Sequence, residues 1–394
     1  MRINRFNGII LSLIVPTCIY LVARGFTLAT VLILFGALLT IIYARQSFKK
    51  SVRVDLFLFI SILSLGLISL ALNCMEDWYN IELYIHNQFN ICITFLAILI
   101  IKPHIDIKYF INSSLILGVL ASILCFYQSI SIFMTGHFVA NFYLPFFEVV
   151  RDADTISGHR PCAFFTEPAH LCMFLAPLSY FLLSHKKYLC ATVFFCAMLF
   201  SLSTSGLLFC VVLPLLFLFS NKKAITSTVI ITAIIFIVYS IIKVDYPEVL
   251  ELNLEKLDKT DASSDMRLFG PLLYLRYYDF SQITFGIGLN QLEDFVLFKR
   301  GSLAFEGSGN YANSIIYMFL CYGFVGSIIL LYYLYFKYKF NKKCFPYFIL
   351  LLCILCSDQI LFSTTLIYLL CFVDNSFALY CDNNEKNKLL CFLK

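Results

Sequence analysis

Long apolar runs broken by short polar punctuation fill most of this chain. A helix needs about 20 apolar residues to cross bilayer hydrocarbon. Stretches near that length recur at 8–23, 25–44, 54–74, 83–101, 109–134, 164–183, 188–203, 205–220, 224–243, 310–336, 344–362 and 363–380. The pattern predicts an all-α fold, a polytopic transmembrane bundle of about twelve spans forming a single integral membrane domain over 1–394. The 188–220 pair turns at "STS", 203–205, and the last pair turns near Ser363. Two intervals stay polar too long to be connectors, 135–167 and 244–309. Loops of that length are usually functional or disordered, and the frequent aromatic and aliphatic residues of the second argue for order. The first apolar stretch runs through Arg24 straight into the next, with no small-residue cleavage site before it. It reads as a retained span rather than a signal peptide.

Composition agrees: 60% of the 394 residues are hydrophobic and 13% charged, against roughly a quarter charged in a soluble domain. The net charge of +5 matters less than its distribution. With a cytoplasmic N-terminus, the inside segments are 1–7, 45–53, 102–108, 184–187, 221–223, 337–343 and 381–394, and they hold most of the 29 lysines and arginines. Short basic loops stay inside, so both termini are expected in the cytoplasm and both large loops on the outer face of the membrane. Most of the 24 acidic residues fall on that outer side. The 16 cysteines lie mostly within apolar runs, and 244–309 has none. A disulfide framework or zinc site would need them there. The CxxC of Cys353 and Cys356 sits inside "FILLLCILCSD", a helix interior, where thiols act as small apolar packing groups.

The first loop carries "HRPCAFFTEPAH", which places Arg160, Glu167 and His170 just ahead of a span, with His159 before them. In the second loop Ser264 and Asp265 are good N-caps for a helix from Met266, and Gly270-Pro271 should end it and start another. On one unbroken helix Arg267 and Arg276 would point to opposite sides; the break lets both face one cleft. "TFGIGLN" then supplies a glycine turn, and "EGSGNYANS" opens the next span.

These segments resemble a known family. "RPCAFFTEPAH" is similar to the R-x-x-G-F-F-x-E-P-S-H pattern of bacterial O-antigen and capsule polymerases of the Wzy type. Arg267 ahead of "GIGL", with Asn310 and Asn313 leading into a span containing "YGFVG", looks like the matching segment of the wider O-antigen ligase and polymerase superfamily. The resemblance covers about 135–330. Ala169 replaces the serine of the pattern, and the two asparagines stand where the ligase branch is expected to carry a histidine, which favours a polymerase.

The resemblance implies a metal-independent glycosyltransferase of the membrane, without cofactor or nucleic-acid partner, moving a glycan from undecaprenyl pyrophosphate onto the sugar of an incoming lipid-linked repeat unit. A chain-length regulator protein is an expected partner. Arg160 and Arg267, with Arg276 in reserve, would meet the diphosphate bidentately; interfacial arginines also snorkel to head groups. Glu167 would take the acceptor proton or neutralise Arg160, or simply sit where a helix start favours a carboxylate. His170, on the same helical face, shares that proton or is structural. Asn310 and Asn313 bind sugar hydroxyls or cap the span. "DAD" at 152–154 matches a metal-binding Asp-x-Asp, but no P-loop or Rossmann fingerprint accompanies it. Two alternatives are a ligase, sharing the donor chemistry, and a lipid-linked oligosaccharide transporter. The transporter reading lacks internal repeats and mid-span charges, although Pro16, Pro177 and Pro214 interrupt spans.

Overall fold

The computed structural model describes residues 2–23, 26–43, 50–135, 146–149, 160–220, 270–301, 312–374 and 377, with short helical pieces between 232 and 240. Its elements in order are α1 (Arg2–Thr17), β1 (Tyr20–Ala23), β2 (Phe26–Thr27), α2 (Leu28–Tyr43), α3 (Lys50–Asn73), α4 (Ile81–Ile101), α5 (Ile107–Thr135), β3 (Glu148–Val149), α6 (Pro168–Ser184), α7 (Tyr188–Phe200), α8 (Thr204–Ser220), α9 (Phe280–Phe285), α10 (Leu292–Arg300), α11 (Ser314–Phe340), α12 (Phe345–Ser357) and α13 (Thr364–Phe372). Among the described residues four stretches are long and apolar enough to cross a bilayer: Arg53–Asn73, Ile81–His104, Ile107–Thr135 and Ser314–Phe340. The protein is an all-α membrane protein. Each apolar run read from the sequence contains a helix, except 224–243, most of which lies outside the described residues, but some helices are much shorter than their runs: α12 has 13 residues and α13 has 9.

The first two helices are shorter than the runs at 8–23 and 25–44. Pro16 withdraws an amide from the last turn of α1. Tyr20–Ala23 then extends, pairing antiparallel with Phe26–Thr27 and, across the sheet, with Glu148–Val149. A small sheet of order β2-β1-β3 thus joins the first hairpin tip to the first large loop.

Inter-helix contacts sort the helix ends. The end of α1 and the end of α5 lead into the paired strands β1 and β3. Phe26, just before α2, lies 6.4 Å ring to ring from His86 early in α4, so the starts of those helices belong with them. At the other end the Asp106 amide, just before α5, bonds the Asn4 carbonyl at the start of α1 (2.9 Å). The first large loop therefore attaches at one end of the bundle, here called the loop end, and Gln291 of the second loop, bonded to the Asn80 backbone just before α4, attaches there too.

Helix α6 is the hub. Nearly every side chain from Pro168 to Leu183 is buried, His170 being the half-buried exception. Its sequence, "PAHLCMFLAPLSYFLLS", is apolar all round, which is what an enclosed helix requires. It is packed by α5, α7, α8, α12 and α13. Tyr368 of α13 stacks on Phe174 at 4.8 Å and donates its hydroxyl to the Phe174 carbonyl (3.2 Å).

The far end is tied by charge. Asp55 (α3), Lys102 (after α4), Lys337 (α11) and Asp374 (after α13) form one cluster with two charges of each sign, in which Asp55, Lys337 and Asp374 are buried and Lys102 is partly exposed. Lys102 bridges Asp55 and Asp374, the latter at 2.8 Å, and Lys337 holds the other Asp55 oxygen at 2.7 Å. The Tyr333 hydroxyl donates to that same oxygen (2.9 Å). Isolated charges in such a place cost many kcal/mol, so they occur paired.

Candidate active site

The first large loop re-enters the described structure as a strap, residues 160–167, that leads into α6. Pro161, Cys162, Ala163 and Phe165 are buried, whereas Arg160, Thr166 and Glu167 are half-buried. Apolar side chains thus anchor the strap and polar ones stay at the mouth. Phe165 packs on Phe174 of the hub helix at 5.3 Å and on Phe164 at 5.0 Å. A turn from the Cys162 carbonyl to the Phe165 amide (3.0 Å) reverses the chain. Gln128 of α5 binds the backbone of Cys162 and Ala163 from beneath.

Arg160 donates from Nη1 to the Leu202 carbonyl (3.3 Å), in the turn between α7 and α8. Glu167 is the N-cap residue of α6 in extended conformation, with Pro168 at the first helical position, where its missing amide costs nothing. The Glu167 side chain makes no capping bond, and the helix dipole favours a negative charge there. His170 Nδ1 is hydrogen-bonded to the Thr166 hydroxyl. Thr166 is a partner that the sequence reading missed; its spacing of four from His170 across a helix start was the available signal. Arg160 and Glu167 are therefore the two ends of one strap, and His170 lies in the first turn of the helix that follows it.

The second loop builds a platform on α3, α4 and α11. A 3₁₀ helix begins at Gly270-Pro271 and runs to Tyr277, in place of the α-helix the proline suggests. Arg276 on it is exposed; its guanidinium lies over the Tyr277 ring at 4.7 Å and donates to the Tyr277 hydroxyl (2.8 Å). Asp279 caps α9 in a reciprocal box with Gln282. Burial pushes the Asp279 carboxyl up. Hydrogen bonds from Ser281 and the Gln282 amide, with the Lys299 charge, outweigh it and hold the group below the usual carboxylate range.

The glycine turn docks onto a break in α11. Gly323 there has φ 64° and ψ −164°, so the Leu320 and Cys321 carbonyls turn outward. They accept from the Ile287 amide (3.2 Å) and the Gly288 amide (2.9 Å), and Tyr278 donates its hydroxyl to Leu320 (3.2 Å). Backbone meets backbone: a Cβ on Gly286 would stand 2.2 Å from the Cys321 carbonyl, and one on Gly323 2.3 Å from that of Thr284. "GIGL" and "YGFVG" are thus two halves of one joint. Asn73 and Ser69 of α3 both reach the Gly286 carbonyl (3.4 Å), and the buried Gln291 grips the backbone of Asn80 in both directions (2.8 and 3.2 Å).

Asn313 is 5% exposed and spends its side-chain oxygen on the Ile315 and Ile316 amides at the start of α11 (3.1 and 3.0 Å). Of its two expected roles, capping is the one seen. Arg267, Asn310, His159 and the "DAD" at 152–154 lie outside the described residues. Among the described residues no three His, Cys, Asp or Glu side chains group as metal ligands.

Strap and platform sit at the same end of an apolar bundle, and they hold the two segments whose motifs resemble surface-polysaccharide polymerases. A family model described as WcaD colanic acid polymerase matches residues 2–373. The chain belongs to that family. It is a repeat-unit polymerase of the O-antigen and capsule kind, a glycosyltransferase-type enzyme of polysaccharide biosynthesis embedded in a membrane. No curated protein and no solved structure matches it.

Proposed function

We propose that the polymerase takes a glycan from a polyprenyl diphosphate and adds it to a sugar hydroxyl of an incoming lipid-linked repeat unit at the strap. One observation supports the reading: Thr166, Glu167 and His170 stand at the start of the otherwise enclosed helix α6, with Thr166 hydrogen-bonded to His170, and Arg160 opens the strap that leads there and donates to the Leu202 carbonyl. In the reaction the acceptor oxygen attacks the anomeric carbon of the growing chain. The bond from that carbon to the diphosphate oxygen breaks, and its electron pair leaves with undecaprenyl diphosphate. Arg160 and Arg267 meet the charge that develops on the diphosphate, with Arg276 and Asn310 contacting substrate. Arginine fits because its fork stays charged and pairs with phosphate oxygens, so no metal is required. Glu167 receives the acceptor proton, and His170, oriented by Thr166, relays it onward.

Twelve crossings, cytoplasmic termini and a periplasmic loop end belong to the same reading, supported by the basic segments 45–53 and 337–343, which flank the charge-cluster end of α3 and α11. In cells lacking the gene, single repeat units should remain on the surface glycolipid. Arg160→Ala and Glu167→Gln should reproduce that pattern at normal protein abundance. Long chains in either variant would remove that residue from the mechanism.

A further inference from the structure

We propose that Gln128 is a positioning residue: it fixes the strap so that Arg160 is held in place beside the Leu202 carbonyl. The proposal rests on the reading that Arg160 meets the diphosphate. Gln128 lies in α5 and is 2% exposed, an amide in an apolar helix that must be hydrogen-bonded to be tolerated. Its Oε1 accepts from the Cys162 amide (3.1 Å) and the Ala163 amide (2.8 Å), and its Nε2 donates to the Ala163 carbonyl (3.2 Å). The carboxamide thereby closes on both polar groups of one residue. That residue is the conformationally costly one: Ala163 has φ 52°, where side-chain-bearing residues are disfavoured.

The backbone reversal at Ala163 separates two destinies of the strap. Phe165 is directed down onto Phe174 of the hub helix, and Arg160 is directed sideways to the Leu202 carbonyl. Relaxing Ala163 leaves Phe165 buried by its own apolar contacts but frees the strap before it, and Arg160 swings with that segment. Gln128 touches no substrate in this account and acts only through Arg160.

The test is chain extension from a lipid-linked repeat unit, measured per folded molecule with purified full-length protein in nanodiscs. Gln128→Leu keeps the bulk and loses the three bonds, and should slow extension about 10-fold or more, since small misplacements of a catalytic group cost up to about 100-fold. In an Arg160→Lys background, where the fork is already gone, Gln128→Leu should cost far less. Adding Ala163→Gly to Gln128→Leu should restore part of the rate, because glycine holds the same φ without strain. Equal losses in both backgrounds would make Gln128 a structural residue and overturn the proposal, as would wild-type extension by Gln128→Leu while Arg160→Ala is inactive. Wild-type extension by Arg160→Ala would instead overturn the parent reading and the proposal together. Should Gln128→Leu fail to fold, Gln128→Glu gives a second readout. Its carboxylate opposes the Ala163 carbonyl when ionised and donates to it when protonated, so extension relative to wild type should rise as pH falls. A flat ratio would overturn the proposal.

Discussion

Lys337→Met puts the charge cluster to a quantitative test. Lys337 is 3% exposed and stands 2.7 Å from Asp55 Oδ1. At that distance and an effective dielectric near 20 the attraction is about 6 kcal/mol, most of which offsets several kcal/mol of desolvation for each ion. The intact pair therefore adds little net stability. Removing one partner is different, because the desolvation of Asp55 remains while Lys102 alone must serve both Asp55 and Asp374. Such losses run at about 3–5 kcal/mol. A cavity of about 40 Å³ beside Asp55, Lys102 and Tyr333 has room for water, which places the expectation near the lower figure. Lys337→Met with Asp55→Asn leaves the neutral Lys102–Asp374 pair at 2.8 Å and should recover most of the loss. The assay is reversible unfolding by SDS titration in mixed micelles, with all four members of the cycle. A single-variant cost under about 1 kcal/mol, typical of an exposed pair, would refute the reasoning, and so would a double variant as unstable as the sum of the singles.

Other outcomes follow from local geometry. Gly286→Ala sets a Cβ 2.2 Å from backbone atoms of Cys321 and should cost about 3 kcal/mol or more. Gly301→Ala, with φ 77° but open space around it, should cost only about 1–2 kcal/mol in the same titration. Because the Asp279 carboxyl sits below its usual range in the folded protein, its contribution to the start of α9 is complete above about pH 4 and is lost as pH falls through the lower folded value. Hydrogen exchange over 279–285 should show that loss, and Asp279→Asn should abolish its pH dependence. Thr166→Val removes the hydroxyl bonded to His170 and should slow chain extension without lowering abundance; extension at the wild-type rate would make that bond structural.

Hydropathy was enough to find the helices because each apolar run is local, and its length alone decides whether it can span. The ends of the first two spans were not legible in this way: β1 is held by a strand more than a hundred residues away, and pairing at that range leaves no local mark. The strap was legible, since an arginine, a glutamate and a histidine within eleven residues are conspicuous beside hydrocarbon. Gln128 was a polar residue in a predicted span, visible but without a stated partner. The charge cluster was hidden for a different reason. Lys102 and Lys337 lie at span edges, where they read as members of the basic inner segments, and their acidic partners are 47 and 282 positions away. "GIGL" and "YGFVG" were noticed as separate motifs; that they interlock depends on Gly323 breaking α11, a positive-φ event that a mid-helix glycine permits but does not announce.

The most direct measurement of the central claim is extension of a lipid-linked repeat unit by purified Arg160→Ala in nanodiscs, beside wild-type protein and with folding verified by SDS titration. Removing a group that stabilises developing charge costs roughly 100- to 1,000-fold in rate, so the account predicts single repeat units where wild type builds long chains. Long chains formed at the wild-type rate by a correctly folded Arg160→Ala protein would contradict it.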